Sequence, residues 1–262
     1  RVTSSSRMLA DGEGALGDAA GFAAYNFKRG IPASYVPTTL RAQVDAAYGG
    51  KTAINYRGVK NAVGSFSQPE KVIADSNFLL TLSGREYRSG LGEVLKYGAG
   101  FDSELFSILE NNSDTLVRRD TGLLATVISR CTKIKDKIAG RDPKEHGERR
   151  LLNLGHTFGH AFESVLRVSH GHAVMLGILA AAKVSVKLNA LQEDSYLRVL
   201  GLAEKLGFDA RLPRYSKRYE FFIRQDKKSN GNVLQFVILS AIGSSKIAEL
   251  DPKSLIAMVY EA

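Results

Sequence analysis

Glu93 in Gly-Leu-Gly-Glu-Val-Leu-Lys, His156 and His160 in Leu-Leu-Asn-Leu-Gly-His-Thr-Phe-Gly-His, and His170 in Ser-His-Gly-His stand far apart along the chain. Together they have the composition of one divalent-metal site, so an acceptable fold must bring three distant segments to a single point. His156 and His160 are four residues apart and leave the same face of a helix one turn from each other. One imidazole can hold a cation while the other does chemistry beside it. Two imidazoles and one carboxylate suit Zn²⁺, and three protein ligands leave a position open for substrate, which is the catalytic pattern. An isolated His-x-x-x-His is more often a satisfied pair, so the surrounding residues decide the reading.

With 262 residues the chain can bury a large core and form one or two domains,. The apolar stretch at 177–184 is interrupted by Lys183, so no membrane-spanning segment is expected,. The single cysteine, Cys131, cannot form an internal disulfide, which suggests a reducing, cytoplasmic setting,. A net charge of +9 is compatible with nucleic acid, but aromatic residues do not interleave with basic ones and no nucleic-acid module is present,. Several lysines and arginines instead sit in glycine-rich words, which points to an anionic small molecule,. The first residue is Arg, and the glycine-rich segment 10–18 follows at once. A dinucleotide-binding turn needs a preceding strand, and little chain is available for one here, so the N-terminal part is expected to be truncated.

Periodicity divides the chain near residue 78. Residues 1–78 alternate: a helix from Gly17 to Lys28, a strand from Ala33 to Pro37, a helix from Thr39 to Tyr48, a glycine turn, and a strand from Lys71 to Asp75. From 79 to 262 helices dominate, over Ser89–Tyr97, Ser103–Asn111, Leu123–Ala139, Leu154–Leu166, Ala173–Asn189 and Glu193–Leu206, with a small hairpin within 232–250,. The expected class is an α/β part followed by a mainly α-helical domain.

The words Gly-Asp-Ala-Ala-Gly-Phe-Ala-Ala (17–24), Lys-Arg-Gly (28–30), Pro-Thr-Thr-Leu (37–40), Gln-Val-Asp-Ala-Ala-Tyr-Gly-Gly-Lys-Thr (43–52), Arg-Ser-Gly-Leu-Gly-Glu-Val-Leu-Lys-Tyr-Gly (88–98), Leu-Leu-Asn-Leu-Gly-His-Thr-Phe-Gly-His-Ala (151–161), His-Gly-His-Ala-Val (170–174) and Asp-Lys-Lys (226–228) occur in this order. In this the chain resembles the 3-dehydroquinate synthase family over nearly its whole length. The resemblance implies a dehydroquinate synthase-like fold, with a Rossmann-like N-terminal part holding NAD, a helical C-terminal domain holding Zn²⁺ or Co²⁺, a site in the cleft between them, and a homodimer. The implied activity is a carbon–oxygen lyase reaction of the shikimate pathway, turning 3-deoxy-D-arabino-heptulosonate 7-phosphate into 3-dehydroquinate and phosphate.

Residue by residue, the resemblance makes Glu93, His156 and His170 the metal ligands and His160 their proton-moving neighbour. His172 is a rival ligand, while His146 reads as solvated surface. Lys51, Asp45, Lys96, Lys135, Arg149, Asn153, Arg29 and Lys228 match substrate-contacting positions, Arg149 with a fork suited to a carboxylate. Arg150 and Lys227 are rivals to Arg149 and Lys228. Lys96, three residues after Glu93, could instead be a surface ion pair of little worth. A nucleotide-triphosphate loop is excluded, because position 45 is Asp where Gly-x-x-x-x-Gly-Lys-Thr needs glycine,. Gly12, Gly14, Asp18, Thr38, Thr39, Lys60 and Asn61 match the NAD positions. Glu13 stands where the family has glycine, and a carboxylate there is expected to repel pyrophosphate and weaken NAD binding. The competing readings are another sugar phosphate cyclase, of the 2-deoxy-scyllo-inosose or valiolone synthase kind, a degenerate non-catalytic homologue, and a basic nucleic-acid-binding module.

Overall fold

The computed structural model describes residues 3–225, 229–230 and 233–261. Contacts divide the chain into a first unit of residues 1–90 and 121–149 and a second of residues 91–120 and 150–262. The division expected at 78 thus falls inside the first unit. That unit also recruits a later helix, because this helix packs on the turns at Ala42–Ala46 and Ser76–Thr81. Periodicity along the chain does not register such a long-range contact.

The first unit opens with strand β1 (Met8–Gly12), helix α1 (Gly14–Asn26) and strand β2 (Ala33–Pro37). β1 and β2 are parallel, and the short β5 (Lys71–Val72) adds to β2, giving the order β1-β2-β5. This is a β-α-β unit of the Rossmann-like kind. Strand β1 supplies support for the glycine turn that the sequence had seemed to lack. Ala10, Ala24, Ile31, Ala33, Tyr35 and Ala47 form the core, the alanines among them allowing α1 to lie close on the sheet,. The helix expected over Thr39–Tyr48 is present over residues 40–46, shorter than expected and widened to π winding at Ala42–Ala46, with the Thr39 hydroxyl accepting the Ala42 N–H at 3.2 Å. A hairpin then follows, β3 (Lys51–Tyr56) and β4 (Val59–Phe66). Its two-residue turn puts Arg57 and Gly58 both at positive φ, 48° and 79°, the twist that two-residue hairpin loops require,. Helix α2 (Gly84–Phe101) leads out of this unit.

The second unit contains the rest of α2, α3 (Ser103–Asn111) and α4 (Ser113–Val117), whereas α5 (Thr121–Arg141) belongs to the first. It continues with α6 (His156–Leu166), α7 (His170–Lys187), α8 (Glu193–Lys205), α9 (Lys217–Arg224), the antiparallel strands β6 (Ser229–Asn230), β7 (Val233–Ala241) and β8 (Ser244–Leu250), and α10 (Pro252–Tyr260). Helix α7 is the centre. It is apolar on all sides and packs against α6, α8, α10 and β7,. Phe158, Phe162 and Phe236, each 2 % exposed or less, fill the space around α6 and β7. No helix among the described residues is long and apolar enough to cross a membrane.

Candidate metal and active-site residues

Of the three expected metal ligands, one lies within a helix and two open helices. Glu93 lies in α2, His156 opens α6 and His170 opens α7. Each has a glycine beside it, and those glycines bring the helices together. A Cβ on Gly92 would lie 2.1 Å from the Gly171 carbonyl oxygen, and one on Gly177 would lie 1.8 Å from that of Gly155. Gly155 itself has φ +78°, a conformation that suits glycine at the entrance to α6,. With backbones in such contact, one ligand atom from each of Glu93, His156 and His170 lies within 4.8 Å of the others.

Hydrogen bonds orient each ligand. His156 Nδ1 donates to the Leu154 carbonyl at 3.1 Å, which leaves Nε2 with a lone pair, 3.8 Å from Glu93 Oε1. His170 Nδ1 meets Glu163 Oε2 at 2.9 Å, and its Nε2 lies 3.1 Å from Glu93 Oε1. Glu93 is fully buried, and Lys96 Nζ lies 2.7 Å from its other oxygen. This buried pair replaces the weak surface pair that the spacing alone allowed. Burial pushes His156 down to about 3, so it is neutral and able to ligate,. For His170 burial also opposes charge, but the hydrogen bonds to Glu163 and Glu93 outweigh it and raise the imidazole to about 9. A proton on His170 therefore occupies the position a cation needs. Two imidazoles and a carboxylate that converge, with both rings held by a second partner, fit a divalent cation with nitrogen and oxygen preference.

His160 is exposed, one turn along α6, with its ring centroid 5.4 Å from that of His156 and 6.3 Å from that of His170. His172 points elsewhere, its Nε2 3.0 Å from the Asp209 carbonyl, and is not in the cluster. Glu163 was not singled out from the sequence. Its place seven residues after His156, on the same helix face, was the available signal. Removing its charge with Glu163→Gln is expected to weaken Zn²⁺ affinity by about 10- to 100-fold, measured by competition with a chromophoric chelator. Unchanged affinity would show that the Glu163 contact does not support the ligand.

A second group of expected residues meets within the first unit. Lys135, buried on α5, donates to the backbone carbonyl of Asp45 and to its carboxylate at 2.8 Å. Lys51, which opens β3, pairs with Glu145 rather than with Asp45. Arg149 is 3 % exposed and donates to the carbonyls of Pro143 and Gly49, each at 2.8 Å. Its rival Arg150 faces Gln235 in the second unit, where the Asn153 amide donates to the Arg150 carbonyl at 3.1 Å. Glu145 was also missed. It sits at φ +59° in a turn where Asp142 accepts the N–H groups of His146, Gly147 and Arg149, and nothing local in the sequence indicates the cation it meets. Arg29 is exposed at φ +68° on a short turn after α1, and His146 is exposed as expected. Lys227 and Lys228 lie outside the described residues.

Gly12 ends β1 and Gly14 begins α1, with the exposed Glu13 at the helix N-cap making no side-chain cap bond. The Thr38 N–H donates to the Gly12 carbonyl at 2.9 Å, tying the next strand end to this turn. Lys60 and Asn61 are exposed on β4. Asp18, on α1, has its carboxyl pushed up to about 6, by burial first and by Asp45 in addition, against the pull of Lys135, Arg41 and Lys60. A carboxyl raised in the folded state lowers stability as pH rises from about 4 to about 6, because the folded form holds the proton longer than the unfolded chain,. Asp18→Asn should therefore be more stable than the parent at pH 7 and lose that advantage below the ordinary carboxylate range. Urea melts across this range check it, and a constant difference would exclude the titration.

Family models match the whole described site. Residues 1–89 match 3-dehydroquinate synthase N-terminal and residues 90–229 match 3-dehydroquinate synthase C-terminal. A 3-dehydroquinate synthase of Halorhodospira halophila is 41% identical over 267 residues, covering 100% of this chain and 75% of the relative. Among solved structures, 2-epi-5-epi-valiolone synthase from Streptomyces hygroscopicus subsp. jinggangensis, with NAD⁺ and Zn²⁺ bound, is similar at TM-score 0.86 and 28% identity, covering 95% of this chain and 71% of that one. A 2-deoxy-scyllo-inosose synthase complexed with carbaglucose-6-phosphate, NAD⁺ and Co²⁺ is similar at TM-score 0.86 and 26% identity, covering 96% and 73%.

Proposed function

The chain belongs to the 3-dehydroquinate synthase family, and from that membership we propose that it converts 3-deoxy-D-arabino-heptulosonate 7-phosphate into 3-dehydroquinate and phosphate, with NAD and a divalent metal, Zn²⁺ or Co²⁺. The observation that carries this reading is the convergence of Glu93, His156 and His170 in a chain whose two family models both match. When bound, NAD supplies a hydride acceptor and the cation a Lewis acid that acidifies a substrate hydroxyl.

The protein's own residues then bind, orient and move protons. Lys96 holds one oxygen of Glu93, leaving Oε1 directed at the two imidazoles. The Leu154 carbonyl and Glu163 fix the rings of His156 and His170. His160, exposed beside them, is placed to hydrogen-bond substrate and carry a proton,. In the first unit, Lys51, Lys135 and Arg149 supply positive charge for the substrate's carboxylate and phosphate, with Asp45 and Glu145 holding two of these cations in place until the anion arrives. Asn153, Arg29 and Lys228 complete the proposed substrate set. Gly12, Gly14, Asp18, Thr38, Thr39, Lys60 and Asn61 form the proposed NAD set, where the N–H groups opening α1 can face pyrophosphate. Division into an NAD-binding part at 1–78 and a metal- and substrate-binding part at 79–262 is retained only as an outline of these roles, since α5 brings Lys135 into the first unit. A cytoplasmic homodimer is the setting proposed, the cytoplasmic part in keeping with a single cysteine in the sequence,.

Two similar solved structures are a 2-epi-5-epi-valiolone synthase and a 2-deoxy-scyllo-inosose synthase, and the second reading is a sugar phosphate cyclase of that kind. Phosphate release with NAD and Zn²⁺, measured on the heptulosonate 7-phosphate and on heptulose 7-phosphate, which lacks the carboxylate, separates the two. The proposed function requires turnover of the carboxylated substrate; turnover of only the other would replace it with the second reading.

A further inference from the structure

The family word at 43–52 begins with Gln43, which belongs to neither the proposed substrate set nor the proposed NAD set. It is fully buried in the π-wound segment Ala42–Ala46, and its amide reaches the ends of two strands. Nε2 donates to the Pro37 carbonyl, where β2 ends, at 2.9 Å, and to the Asp75 carbonyl, just beyond β5, at 2.8 Å. Only the NH₂ end of the amide can meet two carbonyls, so its orientation is fixed. The amide oxygen, Oε1, is buried with no hydrogen-bond partner among the described residues. What the two donated bonds contribute is therefore offset by a buried acceptor left unmet, and the side chain adds little net stability. Its effect is geometric.

That geometry centres on Thr38 and Thr39. The Gln43 side chain holds the carbonyl of Pro37, just before this pair, and the Gln43 N–H donates to the carbonyl of Thr39, at its far end, at 2.9 Å. Between them, the Thr38 N–H donates to the Gly12 carbonyl at the end of β1. Both threonines are thus gripped from either side. Through Gln43 and Thr38 the three neighbouring strands, in the order β1-β2-β5, have their carboxyl ends tied together. In a parallel sheet that edge is where nucleotides bind. The same segment also seats the glycine turn, because a Cβ on Gly14 would lie 2.7 Å from the Cβ of Ala46. A single π turn within a helix is itself frequent at functional sites.

We propose that Gln43 is a positioning residue for the dinucleotide: buried beneath the site, it sets where Thr38 and Thr39 present their hydroxyls relative to the glycine turn. The inference rests on the NAD reading of those threonines. Without the amide, the ends of β2 and β5 lose their common donor, and a small displacement of the threonines weakens the contacts they make.

Gln43→Met, close in volume but without N–H groups, tests it by calorimetric titration of the Zn²⁺-loaded protein with NAD and by initial rates of phosphate release. The Kd and KM for NAD are expected to rise about 10- to 100-fold, with kcat at saturating NAD and the affinity for Zn²⁺ within about twofold of the parent. Gln43→Asn keeps the amide but is one methylene too short to reach both carbonyls, so its NAD affinity should fall between the other two. It keeps the test decisive if the methionine variant does not fold. A glutamine that serves stability alone predicts a lower thermal midpoint and a smaller active fraction with the Kd and KM for NAD unmoved, and that result would overturn the proposal. Equal NAD binding by the parent and both variants would overturn the proposal and leave the cofactor reading standing. A parent protein that binds no NAD would overturn both.

Discussion

His156→Ala is expected to lose tightly bound Zn²⁺ and, with it, phosphate release from the heptulosonate substrate. His156 is one of the three side chains whose ligand atoms converge among the described residues, and its burial holds the ring neutral with Nε2 available. Alanine removes the lone pair and leaves Glu93 and His170 alone, a pair that matches no three-ligand catalytic site. The loss should exceed the roughly 10- to 100-fold expected when a supporting partner such as Glu163 is removed. Metal content by atomic emission and phosphate release are measured on the same sample, with the thermal transition as a check on folding. Full activity in a protein without the histidine would remove the metal assignment, and retained metal with lost activity would move His156 from ligand to proton carrier.

Gly177→Ala is expected to be the most damaging small substitution in the second unit. Its new Cβ would lie 1.8 Å from the Gly155 oxygen and 2.9 Å from the Gly159 nitrogen, all backbone atoms that cannot rotate away. Helix α7 would have to move off α6, and overpacking of this kind costs about 3 kcal/mol at the upper end of its usual range. For a chain of this size, each kcal/mol lowers the thermal midpoint by about 2–4 °C, so a fall of roughly 6–12 °C is expected. Because Gly155 precedes His156, the shift should also weaken metal binding. Gly201→Ala in α8 is the control: nothing lies within 4 Å of its Cβ, and helix propensity alone should raise stability by about 0.4–1 kcal/mol,. Equal effects at the two sites would mean that the α6–α7 contact is looser than its geometry.

Some features of this protein could be read along the chain because their causes are local. Strand β2 and helix α3 were expected at their observed bounds, and the strand pair β7 and β8 within the stretch given for it, since alternation, periodicity and turn residues act over a few positions,. Helix α10 was readable but overlooked: Asp251 accepts the N–H groups of Lys253 and Ser254, and Pro252 follows it, a standard helix start,. The hairpin of β3 and β4 had a weaker signal, because its turn uses Arg57 at positive φ where Asn or Asp is usual,. The segment at Ala42–Ala46 has helical spacing and is helical, and its widening to π winding, where it packs against α1 and α5, left no mark in that spacing.

The sequence by itself determined which residue types were present for a metal site and for anion binding, and the family words that order them. Only the tertiary structure decided the pairings: Lys51 with Glu145, Lys135 with Asp45, His170 braced by Glu163, and Arg149 separated from Arg150. These partners lie between 7 and 100 positions apart in the chain, and a charge carries no information about its partner until packing brings the two within a few ångströms. Close backbone contacts at Gly92 and Gly177 set the spacing of the helices that carry Glu93, His156 and His170. A glycine reports that space is scarce, but the atom that fills the space belongs to another helix.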